Sequence, residues 1–139
     1  MIIDPGTEKG ARVDARLRDE LVAWLVTVSP DGTPVPTPVW FWWDGATILV
    51  YSQPGRPKLR HIAANPRVAI AMRTDEHGDA LVVITGAAAM EPDAPRADEL
   101  PAYLAKYDAS IARLGSTPAE FGAEYSVPIR ITPTRLRAW

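Results

Sequence analysis

Residues 34–53 read PVPTPVWFWWDGATILVYSQ. Two apolar runs flank Asp44-Gly45, a dipeptide that favours the tight turn of a hairpin. The runs 34–43 and 46–53 are therefore read as antiparallel strands. Prolines 34, 36 and 38 constrain the first of them. Alternate N–H groups of a strand point to one side, so these three prolines remove every donor on one side of the segment. It can pair on its other side only and cannot be a central strand there. Two readings stand open: an edge protected against aggregation, or a gap where a ligand lies along the strand. In Trp40-Phe41-Trp42-Trp43, alternation puts Trp40 and Trp42 on the proline face. Phe41 and Trp43 share the other face with Thr37 and Val39. Core packing is the default for any one of these rings. Four in a row point to a dimer interface or a planar ligand.

Upstream, Val13, Leu17 and Leu21 lie four apart and mark one apolar face of a helix within residues 8–22. Residues 22–29 read as a strand, closed by the turn Pro30-Asp31-Gly32-Thr33. Downstream, 67–74 and 79–91 pair across Asp75-Glu76-His77-Gly78. Residues 94–113 are helical, with Leu100, Tyr103, Leu104, Tyr107 and Ile111 on one side. A short helix over 117–124 completes a helical insert, 94–126, and 127–139 is the last strand. The expected fold is mainly β: six antiparallel strands with two or three helices, closing into a barrel to remove edges. The 139 residues form one domain, 1–139, with room for a real core.

Between the strands at 46–53 and 67–74 lies QPGRPKLRHIAANP. Pro57 suits a first helical position, Leu59, Ile62 and Ala63 share a face, and Asn65-Pro66 ends the helix. Arg56, Lys58 and Arg60 crowd its start, where free N–H groups and the positive end of the helix dipole make cations unfavourable. Arg56 at the cap cannot accept a hydrogen bond from those groups. An anion docked there resolves the conflict, and phosphate is the usual guest. The alternative is that these are solvated surface charges or partners of acids elsewhere. Ser52, at the end of the preceding strand, offers a further hydroxyl donor.

The net charge is −2, so no overall basic field draws nucleic acid or an anionic membrane. The chain has no cysteine, which excludes disulfides and thiolate chemistry and suits a reducing cytosol. The expected location is cytoplasmic. Of two histidines, His61 is read as a surface or interface residue and His77 as part of a solvated turn. No catalytic triad, paired carboxylates, Walker loop or Gly-x-Gly-x-x-Gly is found, so chemistry, if any, belongs to a cofactor.

The order hairpin, Ser52, Arg56-x-Lys58-x-Arg60, Ile62-x-x-Asn65-Pro66-x-Val68 resembles the pyridoxamine 5′-phosphate oxidase-like split-barrel family, from about residue 14 onward. Through VWFWWDG (39–45) and YSQP (51–54) it is most similar to the subgroup that uses the deazaflavin coenzyme F420. The resemblance implies a homodimer with two cofactor sites between subunits. It implies that Arg56, Pro57, Lys58 and Arg60, with Ser52, hold the cofactor's phosphate. Pro36, Thr37 and Val39 would line its ring, and Asp79 and Leu81 of the other subunit would close the cleft. The implied activity is hydride transfer to a small electron-poor acceptor, with FMN as the alternative cofactor. A flavin, deazaflavin or haem binding protein without turnover is the alternative of another class. Arginine outnumbers lysine 12 to 3, a GC-rich signature that goes with genomes encoding the deazaflavin.

Overall fold

Alternation in AWLVTV turns Ala23, Leu25 and Thr27 inward and Trp24, Val26 and Val28 outward, and these residues form β1 (Ala23–Val28). The chain folds back at Pro30–Thr33 into β2 (Pro34–Val39). The pairing sets prolines 34, 36 and 38 opposite Val28, Val26 and Trp24, alternate pairs at which an antiparallel ladder asks for no N–H. β2 has no second neighbour and is an edge strand. The computed structural model describes residues 1–139 throughout.

The expected single strand over 34–43 is broken. Trp40 and Phe41 leave the sheet, and Trp42–Trp43 form a separate short strand, β3, paired with β4 (Ile48–Ser52). The reason lies in the backbone of Phe41. Its N–H donates to the Tyr107 hydroxyl at 2.8 Å, and its carbonyl accepts from Lys106 Nζ at 2.9 Å. Backbone groups satisfied by side chains need no strand partner. The strand count is therefore seven, not six.

The remaining strands are β5 (Arg67–Ala71), β6 (Val82–Met90) and β7 (Val127–Ala138). The sheet order is β2-β1-β5-β6-β7-β4-β3, antiparallel at every pairing. Its two outermost strands, β2 and β3, are consecutive in the chain and separated only by Trp40 and Phe41. The sheet must curl until those edges come together, which makes a half-barrel. Leu25, Phe41, Ile48, Ile70, Ile84 and Ile131 fill it.

Helix α1 (Glu8–Asp19) lays Val13 and Leu17 on that core. It is shorter than the 8–22 span: Glu20 is already extended, and Leu21 is 44% exposed rather than on the core face. Helix α2 (Pro57–Ala64) follows β4. The insert holds a 3-10 turn (Ala97–Glu99), α3 (Pro101–Arg113) and α4 (Pro118–Glu124). Pro101 divides the expected 94–113 helix, because proline starts a helix more easily than it continues one. Tyr103, Tyr107 and Ile111 of α3 and Phe121 of α4 pack on Leu49 and Tyr51 as a second apolar cluster. Every residue of β4 is thus buried, Ile48 and Val50 in the barrel and Leu49 and Tyr51 beneath the insert. No helix is long and apolar enough to cross a membrane.

Candidate functional site: a cationic cleft beside the edge strand

The turn at Pro54-Gly55 aims the start of α2 at β2. Pro57 occupies the first turn, and Arg56 caps it in extended conformation without a side-chain capping bond. The first turn carries no acid, so its free N–H groups and dipole remain unneutralised. Ile62 anchors the helix in the barrel core, with Leu59 packed beside it. His61 is buried at 9% exposure, its Nδ1 2.9 Å from Thr27 Oγ1. That corrects the surface reading: the imidazole pins α2 to β1, and it is Ala63 that faces solvent.

A cleft of about 310 Å³ opens between the two elements, lined by Thr27, Val35, Thr37, Arg56, Pro57, Lys58 and His61. Lys58 is half-buried, and burial, reinforced by the Arg56 charge, lowers its pKa. Arg56, Lys58 and Arg60 are absent from every salt bridge. The Arg56 guanidinium donates instead to Gln53 Oε1, through Nε at 2.8 Å and also through Nη2. Gln53 in turn donates its amide to Glu124 Oε1 of α4. Two cations, a helix start and two threonines thus converge on one small volume with no carboxylate lining it. That arrangement suits a phosphate.

Several expected site residues lie elsewhere. Arg60 is exposed, and its guanidinium turns back to the Gly55 carbonyl at 3.3 Å. Ser52 is 1% exposed and donates its proton to the Gln53 carbonyl at 2.8 Å, so it lines no part of the cleft. Pro36 is exposed on the edge strand. Asp79 and Leu81 flank the other end of the β5–β6 connection, outside the cleft of their own chain. The Asp79 N–H donates to Asp75 Oδ1, and the Leu81 carbonyl accepts from Trp139 N–H. His77 stands exposed 3.3 Å from Glu76.

A second pocket of about 250 Å³ adjoins the first, and Lys58 lines both. Val39 lines this one, together with Pro38, Trp40, Tyr51, Tyr103, Leu114, Phe121 and Tyr125. Sequence reading placed Tyr103 on an apolar helix face but missed the pocket. The Phe121–Tyr125 spacing of four was its one local trace. Trp40 is not a free interface ring: it stacks on Tyr107 at 4.9 Å between centroids, 9° from parallel, and on Phe121 at 5.4 Å. Burial pushes the Tyr51 phenol up to about 12 and raises Tyr103 and Tyr107 as well.

A half-opened antiparallel barrel with a cationic helix start beside its edge strand defines a split-barrel protein suited to a phosphorylated ligand. The chain belongs to the pyridoxamine 5′-phosphate oxidase family, whose model matches residues 10–139. Among solved structures it is similar to an F420 reductase, at 29% identity over 89% of this chain and 94% of that one, with a TM-score of 0.67. A Listeria innocua protein described as a candidate pyridoxamine 5′-phosphate oxidase is 25% identical over 92% and 95% of the two chains, with a TM-score of 0.67. The haem storage protein HutZ of Vibrio cholerae shares the fold, at 18% identity over 99% and 95% and a TM-score of 0.64. Among curated proteins, none matches this chain.

Proposed function

We propose that this protein is an F420-dependent oxidoreductase acting on a small electron-poor organic acceptor, as a homodimer with a cofactor site between subunits. The observation that carries the reading is the cleft of Arg56 and Lys58 at an uncapped helix start, free of acids. Phosphate oxygens there would meet both cations and the free N–H groups of α2. Thr37, together with Val39 on the neighbouring pocket wall, would border the ring along β2, whose outer side Pro36 and its companion prolines leave without donors. The F420 reductase at 29% identity favours the deazaflavin over FMN.

When bound, a reduced deazaflavin supplies the hydride. The chain's own residues hold the phosphate, keep the ring against the edge strand and shield it from water with the insert. No side chain is assigned as an acid or base, and water supplies the proton of the product. The second subunit would dock on the outer face of β1, β5 and β6, where Trp24, Val26, Ala71 and Val83 form an apolar strip. The partner subunit's Asp79 and Leu81 would then close the cleft.

Titration of intrinsic tryptophan fluorescence with F420 and, separately, FMN tests the reading. F420 should bind at micromolar concentration. Lys58→Ala should weaken it by about tenfold or more, since a hydrogen bond to a charged group contributes about 1.5–3 kcal/mol. Preference for FMN would move the assignment to an FMN oxidoreductase. Tight binding without hydride transfer across an acceptor panel would make the protein a carrier, and binding of neither cofactor would sink the proposal.

A further inference from the structure

One side chain ties the β5–β6 connection to α1. Arg16 lies in the last turn of that helix, and all three nitrogens of its guanidinium donate. Nη2 donates to the Arg73 carbonyl at 2.7 Å, Nη1 to the Ala80 carbonyl at 2.5 Å, and Nε to Glu20 Oε2. Arg73 follows β5 and Ala80 precedes β6, so one planar group grips both arms of the connection. The point charge of a lysine has no such fork. Glu20 is 17% exposed, and its Oε1 is sealed without a hydrogen-bond partner. An ion pair with an unmet buried oxygen is a poor source of stability, so its use lies in the geometry it fixes.

That geometry is strained. Ala80 has a φ of 59°, in the left-handed region, and is the one residue other than glycine with a positive φ. The alanine Cβ opposes this conformation. Such strain persists where the surroundings enforce it, commonly beside ligands. The neighbours of Ala80 are Asp79 and Leu81, and both lie outside the cleft of their own chain. Asp79 is exposed and enters no salt bridge. The connection leaves the sheet after Ala71 and returns at Val82. It therefore stands at the rim of the outer apolar strip that holds Ala71 and Val83.

We propose that Arg16 is a positioning residue for the cofactor site of the partner subunit: by stapling both arms of the connection to α1, it holds Asp79 and Leu81 in place to close the partner's cleft. The inference rests on the oxidoreductase and homodimer reading above and names the residue that completes that site from outside. A segment fixed before docking loses less freedom when the cofactor binds. Arg16 lines no part of its own cleft, so its effect is felt in the other subunit.

Arg16→Ala and Lys58→Ala damage opposite halves of such a site, which allows a test by complementation. The two variants, carrying different affinity tags, are mixed in mild denaturant and reassociated, and the mixed dimer is isolated. F420 is then titrated against tryptophan fluorescence. The Arg16→Ala homodimer should bind F420 about fivefold or more weaker than the wild type. In the mixed dimer, the Arg16→Ala subunit keeps an intact cleft, closed by the intact connection of the Lys58→Ala subunit. One site of wild-type affinity per dimer should return. Wild-type affinity in the Arg16→Ala homodimer would overturn the inference. So would a mixed dimer with no restored site, the result expected if Arg16 served its own cleft or the fold alone. If Arg16→Ala fails to fold, by circular dichroism, Arg16→Lys replaces it, since lysine keeps a charge beside Glu20 without spanning both carbonyls. Wild-type affinity in that variant overturns the inference. A wild type that binds no cofactor, or stays at the single-chain mass, sinks the oxidoreductase or homodimer reading and this inference with it, a result seen before any variant is made.

Discussion

Lys106 holds a charge where no carboxylate meets it. Its Nζ donates to the Leu17 carbonyl at 3.1 Å and the Phe41 carbonyl at 2.9 Å, and lies 3.8 Å from the Phe41 ring centroid. Burial lowers its pKa to about 8, against the smaller opposing fields of Asp19 and Glu20. The sign follows from linkage. Below about pH 8 both folded and unfolded chains carry the charge, and the burial cost stands in full. Between there and its usual 10.5, the folded chain has released a proton that the unfolded chain still holds. Stability contributed by this group therefore rises with pH across that window. The urea midpoint of the wild type, taken relative to Lys106→Met, should climb from about pH 7.5 to about pH 9.5. A difference that stays flat would show that the two carbonyls and the ring hold the ammonium at its ordinary pKa. Staying below the range of Tyr51, Tyr103 and Tyr107, all pushed upward, keeps their ionisation out of the comparison.

At the scale of elements, β6 and β7 do not pair evenly. The register slips between Thr85 and Gly86, leaving Thr134 as an extra residue whose hydroxyl donates to the Thr85 carbonyl at 3.2 Å. At the slip the two backbones close up, and a Cβ on Gly86 would lie 2.4 Å from the Thr132 carbonyl oxygen. Gly86→Ala should therefore destabilise the fold by about 1–3 kcal/mol, as overpacking does. A denaturation midpoint unchanged by the substitution would mean that the bulge flexes. Neither the slip nor the break between β2 and β3 was legible in the sequence, whereas α2 was. Pro57 and Asn65-Pro66 are start and stop signals read from neighbouring residues. The break depends on Tyr107 and Lys106, 66 and 65 residues from Phe41. In the same way His61 is buried by Thr27, 34 residues upstream. Of the site, the cations were legible because they oppose a local helix dipole. The aromatic pocket was not, because its walls come from the strand break, β4 and two insert helices.

For the whole molecule, the outer face of the sheet is the feature that a lone chain leaves bare. Trp24 is 47% exposed at the end of an apolar strip, an arrangement typical of association surfaces. On the proposed dimer, Trp24→Glu should raise the dissociation constant by about thirtyfold or more, the loss expected of an aromatic hot spot. Light scattering would then report the mass of a single 15.2 kDa chain at concentrations where the wild type shows twice that. A wild type already at the single-chain mass would refute the homodimer itself. The sheet order holds one more consequence. β7 is the bridge between β6 and β4, yet it is synthesised after every other strand. Until residues 127–138 leave the ribosome, the nascent chain carries a four-stranded half and a two-stranded half, joined through Trp40 and Phe41 and through α2, with β6 and β4 bare where β7 will pair. Such edges recruit other strands, and long-range pairing is slow to protect them. The burden on chaperones should therefore fall late, in the interval between the insert and the closing strand.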